Sequence, residues 1–299
     1  MTLDLSKLHA IDTHVHVEAD CHGNHALDAE LRAASATYFK IGTRNRAPQI
    51  DEIAEHYRAR GIGAVIFTVD AQTATAHPPL SSDEILVHAR RHADVLIPFC
   101  SVDPRAGRAA VAKLRQLVSD GARGLKLHPS LQAFEPNDTA FYPLYETAAE
   151  LGVPVVFHTG QTGIGAGLPG GRGIKLRYSD PMLIDDVAAD FPTLTIVMAH
   201  PSVPWQDAAI SSATHKANVY IDLSGWSPKY FPAQLVRAMN GPLRHKVLFG
   251  SDFPLITPER WLGDFDALDV KPEVRPLVLK ANAARVLGLG LPPEDGSRD

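Results

Sequence analysis

The order of apolar and helical segments constrains the fold of this chain more than any other feature. Short apolar runs recur along the whole sequence, each followed by polar or glycine-rich residues and then by a helical stretch. Residues 64–67 are apolar on both faces, as expected of a parallel strand buried under helices. Eight strands are predicted: Ala10–Val17, Ala64–Val69, Val95–Ser101, Gly124–His128, Pro154–His158, Thr195–His200, Val219–Leu223 and Val247–Asp252. This alternation predicts an α/β fold, a (β/α)8 TIM barrel, with a doubly wound open sheet as the alternative.

Helix-start signals support this alternation. Ser81 and Glu84 form a capping-box pair, and at three further starts a proline follows the predicted capping residue. These starts are Asp103-Pro104, Asp180-Pro181 and Thr257-Pro258, and the last helix is predicted over 272–287. Because 299 residues suit one barrel and no linker interrupts the pattern, we expect a single domain over 1–299. Its core is expected at about 10–288, followed by a flexible tail at 289–299.

Four connections are longer than the rest. About thirty residues separate the first strand from the first predicted helix, and the other long connections are Thr159–Tyr178, Ser224–Pro232 and Phe253–Trp261. All four follow the carboxyl end of a strand, which is the face where α/β barrels carry their functional residues. We therefore expect the site on this face, under extended loops.

Charge and composition exclude several classes of partner. The chain has 29 basic and 34 acidic residues, a net charge of -5, and no basic run of the kind that binds a phosphate backbone. It has no apolar segment long enough to cross a membrane, and its start lacks an apolar signal segment. Two cysteines argue against a disulfide framework. We expect a cytoplasmic protein whose partner is a small-molecule substrate; its long loops are compatible with a homodimer.

The most specific local motif is Asp12-Thr13-His14-Val15-His16 in the first strand. Alternate residues of a strand share a face, so His14 and His16 are predicted to point the same way, with Asp12 deeper on that face. Two imidazoles in this arrangement suit a transition metal. The alternative is a pair of structural histidines at a strand end.

Three further strands end in a polar group at the equivalent level. His158 ends the fifth strand, His200 the sixth, and Asp252 the eighth. Such a group at the end of an apolar strand costs desolvation energy unless it has a partner. In a barrel these ends converge, and three imidazoles with one carboxylate are typical of a catalytic zinc site with one open position.

The Asp-x-His-x-His motif, His158, His200 and Gly-Ser-Asp252-Phe-Pro together resemble the amidohydrolase superfamily, and within it the amidohydrolase-2 branch of aminocarboxymuconate-semialdehyde decarboxylase-like enzymes. The resemblance implies one divalent metal, zinc by preference with manganese or iron as alternatives, and no organic cofactor. The implied metal ligands are His14, His16, His158 and Asp252. The implied catalytic residues are His200, which orients or deprotonates a metal-activated water, and Asp252, which helps to handle its proton.

The resemblance implies a metal-dependent hydrolase. The substrate carbonyl would belong to an ester, a lactone or a β-keto or acyl compound that is small, anionic and derived from an aromatic compound. One alternative on the same site is a non-oxidative decarboxylase of an aromatic or muconate-type acid. A second alternative is a catalytically inactive binding barrel.

Lys126 and His128 share a face of the fourth predicted strand. We expect Lys126 to be an inward charge that binds substrate or stabilises the site. The alternatives are a structural lysine paired with Asp70 or Asp222, and a carboxylated lysine that bridges two metals as in binuclear members of the superfamily. His128 is expected either to line the pocket or to stabilise the turn at Pro129.

The glycine-rich segment Gly160–Gly173 lacks the spacing of a phosphate-binding loop and is interpreted as a lid. Its Arg172 is a candidate contact for an anionic substrate, and Trp226 is a candidate wall for a flat ring. Weaker candidates of the same two kinds are Lys175, Arg177, Arg44, Arg46, Tyr230 and Trp261. For each of them the alternative is a solvated charge or a packing role.

Overall fold

The structure is a computed structural model that describes residues 3–40 and 47–290. Arg44, Arg46 and most of the predicted tail therefore lie outside the described residues. Within them, all eight predicted strands are confirmed, although the third and the eighth are much shorter than predicted. The strands are β1 Ala10–His16, β2 Ile62–Phe67, β3 Leu96–Pro98, β4 Leu125–Leu127, β5 Val155–His158, β6 Ile196–Ala199, β7 Val219–Asp222 and β8 Val247–Leu248.

The strands are parallel and follow one another in chain order. β1 to β3 form one hydrogen-bonded sheet and β4 to β8 another. Backbone bonds join the two sheets at both seams. Cys100 N donates to Gly124 O over 2.9 Å beside β4, and Asp252 N donates to His14 O over 3.0 Å beside β1. The architecture is thus the predicted (β/α)8 barrel, a single domain.

The helices alternate with these strands as predicted. They are α1 Ala29–Tyr38, α2 Ile50–Arg58, α3 Gln72–Thr75, α4 Ser82–Arg91, α5 Arg108–Ser119, α6 Pro129–Gln132, α7 Tyr142–Glu150, α8 Pro181–Asp190, α9 Gln206–His215, α10 Ala233–Met239, α11 Pro258–Asp266 and α12 Asn282–Val286, the last preceded by a π-helix at Leu277–Ala281. No helix of the described residues is both long and apolar enough to cross a membrane.

The predicted caps form at three helices. Ser81, Asp180 and Thr257 each accept a backbone N–H of the helix that follows. Other boundaries differ. Asp103 caps a 3-10 turn and α5 begins only at Arg108, after Gly107 with φ of 58°. The last helical segment begins at 277 instead of 272.

The long connection after β1 was expected to lack a helix, which is wrong, because α1 lies within it. Asp28 caps this helix by accepting N–H groups of Glu30 and Leu31. Leu31 is the only residue of α1 that is buried. The missing apolar stripe explains why periodicity did not reveal the helix.

The core has two layers, which follow from the alternation of side chains along each strand. Inside the barrel Val156, Val197 and Leu248 pack together with alanines of α12. Their neighbours along the strands, such as Val155 and Ile196, pack outward against the helices. Because both layers are apolar, the polar groups at the carboxyl ends of the strands stand out as exceptions.

One prediction for β1 is wrong. Asp12 pairs with Ala64 of β2, a residue of the outer layer, and the register of the two strands shifts between Asp12 and Val15. This β-bulge turns Asp12 away from the face of the two histidines. The Asp12 carboxylate instead accepts hydrogen bonds from Tyr57 of α2, over 2.8 Å, and from the backbone N–H of Ser251, over 2.9 Å. Burial raises the pKa of Asp12 to about 7 against these bonds.

Candidate active site

The carboxyl ends of β1, β5, β6 and β8 place the predicted polar groups around one point of the barrel. His14, His158 and His200 are buried, and His16 is half-buried. Two of the site residues have left-handed backbone conformations, with φ of 74° at His200 and 70° at Asp252. Such conformations cost energy in non-glycine residues and are concentrated at functional sites.

His14, His16 and Asp252 form the tightest group. The Oδ1 atom of Asp252 lies 3.1 Å from His16 Nε2 and 3.4 Å from His14 Nε2. Donor atoms that share one tetrahedral zinc at ordinary bond lengths stand roughly 3.3 Å apart. These three side chains thus have the types and the spacing that a divalent metal requires.

The charges in this group favour the ligating forms. Burial opposes ionisation of Asp252, but the close contact with His16 and its charge hold the pKa of that carboxyl well below its usual range. Burial and the charge of Lys126 lower the pKa of His14 to about 3. At neutral pH the site therefore offers a carboxylate and a neutral imidazole.

His158 lies beside this group without belonging to it. Its donor atoms are not within 4.8 Å of those of His14, His16 and Asp252 together. Its Nδ1 lies 2.9 Å from His200 Nε2, and its buried Nε2 has no hydrogen-bond partner among the described residues. Asp252 Oδ1 likewise has no bond of good geometry there. Buried polar atoms without a partner are rare, which makes these two atoms candidate ligand atoms.

His200 contacts side chains on both of its ring nitrogens. Its Nε2 lies against His158, and its Nδ1 lies 2.9 Å from Ser224 Oγ. In this arrangement His200 lies behind His158. Its predicted contact with a water molecule stays a prediction.

Asp222 is a site residue that the sequence reasoning did not place in the site. Its carboxylate is completely buried, and its Oδ2 lies 2.9 Å from His14 Nδ1. The nearby charge of His14 holds its pKa well below the usual range although burial acts in the opposite direction. The available signal was the one used for the other strands, because Asp222 is the polar residue that ends the apolar strand β7.

Lys126 points into the site and is completely buried. Its Nζ lies 3.2 Å from His14 Nε2 and 4.8 Å from the centre of the Phe67 ring. No carboxylate pairs with it within the described residues, so pairing with Asp70 or Asp222 is wrong. Burial lowers the pKa of Lys126 to about 8, while the charges of Asp222 and Asp252 act against this shift.

His128 stabilises the turn at Pro129, as one of its two predicted options requires, whereas its lining of a pocket stays a prediction. Its ring stacks on that of His158, with centres 3.8 Å apart. Its Nδ1 accepts the N–H of Leu131 over 3.3 Å and so caps the short helix after Pro129. The stack fixes one side of the His158 ring.

Arg172 forms ion pairs with Asp28 and Glu30 of the α1 region, so it joins the two longest connections. Trp226 is half-buried and packs against the outer core layer. Their predicted contacts with substrate stay predictions. Trp261 is fully buried and stacks on Phe265, which makes it a core residue instead of a pocket wall.

The buried charge of Lys126 leads to a prediction about stability. In metal-stripped protein, Lys126→Met is expected to raise the free energy of unfolding at about pH 7 by about 1–3 kcal/mol, because the cost of burying this cation outweighs the attraction of Asp222 and Asp252. The unfolded chain keeps this lysine protonated up to a higher pH than the folded chain, so wild-type stability rises with pH above about 8. Urea unfolding at about pH 7 and about pH 10 measures both effects.

Lys229→Met, at an exposed position, is the matched control and is expected to leave the unfolding curve unchanged. A lower stability of Lys126→Met at both pH values contradicts the prediction. If the variant also loses metal, Lys126 is itself a ligand, as a carboxylated bridging lysine would be.

The barrel and its cluster of histidines and carboxylates at the strand ends define the class of the protein: an α/β barrel with a polar site at its carboxyl face. A family model described as amidohydrolase (Amidohydro_2) matches residues 11–289. The chain belongs to this amidohydrolase family, whose members include metal-dependent hydrolases and decarboxylases. A comparison with curated proteins found no match.

Solved structures share the fold. An uncharacterized TIM-barrel protein from Bordetella bronchiseptica is 24% identical with a TM-score of 0.76, covering 93% of this chain and 98% of its own. A 5-carboxyvanillate decarboxylase from Novosphingobium aromaticivorans, complexed with manganese, is 14% identical with a TM-score of 0.66, covering 96% of this chain and 98% of its own. A probable 2-pyrone-4,6-dicarboxylic acid hydrolase from Acinetobacter baumannii, with citric acid bound, is 16% identical with a TM-score of 0.59, covering 94% of this chain and 100% of its own.

Proposed function

We propose that the chain is a metal-dependent hydrolase that holds one divalent metal, zinc by preference, with manganese or iron as alternatives. The observation that carries this proposal is the spacing of Asp252 Oδ1 from the two β1 histidines, 3.1 and 3.4 Å. The unpartnered, buried Nε2 of His158 supplies a further donor. The proposed ligands are thus those implied by the sequence: His14, His16, His158 and Asp252.

A divalent metal bound there supplies polarisation of a substrate carbonyl and activation of a water molecule. Asp252 is proposed to bind through Oδ1 and to accept a proton through its other oxygen. His200 touches His158 and Ser224, so in this arrangement it orients His158. A direct catalytic role for His200, as the sequence predicts, requires its Nε2 to leave His158.

The proposed substrate is a small carboxylate with a carbonyl in an ester, lactone or acyl group. Lys126 favours a negatively charged substrate, since it is a buried cation that forms no ion pair with a carboxylate within the described residues. Arg172 is less suited to binding the substrate carboxylate, because it already forms ion pairs with Asp28 and Glu30. Two structural neighbours are named for ring acids, a carboxyvanillate and a pyrone dicarboxylate, which suits an aromatic-derived substrate. His128 and Trp226 are proposed as further lining residues.

A non-oxidative decarboxylase is the second candidate. The specific observation in its favour is that both ring nitrogens of His200 are engaged. Hydrolysis needs a base for water, a role that falls to Asp252 alone while His200 is engaged, whereas decarboxylation replaces a carbon–carbon bond by a carbon–hydrogen bond and needs an acid instead.

Two measurements on the purified full chain test the proposal. Metal analysis by plasma mass spectrometry is expected to find about one divalent metal per chain, as one four-ligand site requires. Aromatic lactones, esters and carboxylic acids are then assayed in water labelled with heavy oxygen. Label in the organic product supports hydrolysis, whereas release of carbon dioxide with no label in the organic product shows decarboxylation. A chain that binds no metal after reconstitution, or binds it without turnover, overturns the proposal and favours a binding barrel.

A further inference from the structure

We infer that Asp222 and Ser224 are positioning residues that determine which ring nitrogen of each site histidine carries the proton. This inference deepens the proposed function. It rests on the proposed metal centre only where it concerns metal binding, because the centre needs imidazole nitrogens without a proton. The protonation pattern itself follows from hydrogen bonds within the chain. It starts at one completely buried carboxylate.

Asp222 acts directly on His14. The other contacts of this carboxylate are donors, namely the backbone N–H and the hydroxyl of Ser224 and the backbone N–H of His200, so it serves as an acceptor throughout. His14 Nδ1, 2.9 Å from Asp222 Oδ2, must therefore carry a proton. A neutral imidazole has one N–H, so His14 Nε2 keeps its lone pair. This is the nitrogen that faces Asp252.

Ser224 passes the same constraint to His200. A hydroxyl has one proton, and that of Ser224 is donated to Asp222 Oδ1. Its oxygen can only accept in the contact of 2.9 Å with His200 Nδ1, so His200 carries its proton on Nδ1. His200 Nε2 is then left with a lone pair.

His200 in turn determines the state of His158. The bare His200 Nε2 lies 2.9 Å from His158 Nδ1, which must therefore be the protonated nitrogen. His158 Nε2 keeps its lone pair, and this atom is buried without a partner among the described residues. For neutral rings, any other assignment makes two N–H groups or two lone pairs face each other at one of the contacts with Asp222, Ser224 or His200, which costs about 1–3 kcal/mol per buried group.

The backbone approaches this chain of hydrogen bonds closely at two glycines. A Cβ at Gly225 would lie 2.6 Å from His200 Nδ1, and a Cβ at Gly250 would lie 3.0 Å from Asp222 Oδ1. The stacked ring of His128 covers His158. The rings are thus held close to Asp222 and Ser224. Since metal ligation needs a bare nitrogen, this arrangement prepares His14 and His158 as ligands before metal binds.

Imidazole nitrogen chemical shifts test the inference without substrate and without bound metal. Long-range proton–nitrogen correlation spectra are recorded on metal-stripped full chain with labelled histidine, and signals are assigned by single His→Gln variants. We expect His14, His158 and His200 to carry the proton on Nδ1. In Ser224→Ala, His158 and His200 are expected to change their pattern while His14 keeps it. A bare Nδ1 on any of the three in wild type overturns the inference, whether or not the variant folds.

Ser212→Ala is the matched control, because Ser212 is an equally buried serine whose hydroxyl donates to Asp185 away from the site. Zinc titration against a chelator is expected to show affinity lower by roughly 10–100-fold in Ser224→Ala and unchanged in Ser212→Ala. Unchanged spectra in a folded Ser224→Ala overturn the inference. The expected spectra in a wild-type chain that binds no zinc would retain the inference and refute the proposed function.

Discussion

Asp252→Ala is expected to lower the affinity for zinc or manganese by more than about 100-fold, a larger loss than removal of an indirect ligand partner causes. The variant loses the only carboxylate oxygen that lies close to both β1 histidines within the described residues. The three proposed imidazole ligands would remain beside Lys126, which repels a cation. Metal content after dialysis and competition with a chelator measure this loss, and any turnover found for the wild type is expected to disappear with it.

The left-handed backbone at residue 252 makes a second variant useful. Alanine at φ of 70° adds a cost of about 1 kcal/mol, whereas asparagine tolerates this conformation. Asp252→Asn keeps the shape of the side chain without its charge and is expected to bind metal weakly in a normally folded protein. Asp266→Ala, which removes a mostly exposed carboxylate paired with Arg275, is the control. Full metal content in folded Asp252→Asn and Asp252→Ala would contradict the proposed ligand set.

Gly124→Ala is expected to lower the free energy of unfolding by about 3 kcal/mol, at the upper end of the usual cost of overpacking a core. A Cβ at this position would lie 2.1 Å from the nearest ring atom of Phe99. Phe99 belongs to the layer inside the barrel and is nearly fully buried, so its ring cannot swing into solvent. Urea or thermal unfolding of the metal-stripped protein measures the loss.

Two further variants make this prediction specific. Phe99→Leu combined with Gly124→Ala is expected to recover part of the stability, because the smaller side chain makes room for the added methyl group. Gly263→Ala, inside α11 with nothing within 4 Å of the added atom, is expected to be neutral or to stabilise the protein by up to about 1 kcal/mol. Equal effects of the two glycine substitutions would contradict the proposed overlap with Phe99.

The order of strands and helices could be predicted because it depends on local patterns. Apolar runs and proline-containing caps are properties of neighbouring residues, and all eight strands form where these patterns indicate them. The position of the site followed too, because the carboxyl ends of parallel barrel strands lie at one end of the barrel. His14, His16 and Asp252 meet there for this reason.

Other features of the site depend on geometry that local patterns do not contain. The β-bulge in β1 turns Asp12 outward, and a strict alternation of two residues cannot anticipate one extra residue. Arg172 was a candidate for substrate, but its contacts with Asp28 and Glu30 join segments that are far apart in sequence. Trp261 turned inward because its ring fills the space beside Phe249 and Phe265.

The sequence by itself thus determined the barrel, the face that carries the site and the residue types that gather there. The tertiary structure alone decided how those residues are connected. Asp222 reaches His14 across 208 positions of the chain, and Ser224 reaches His200 across 24. Hydrogen bonds act over about 3 Å and depend on direction, so their pattern is decided only when the strands are packed side by side.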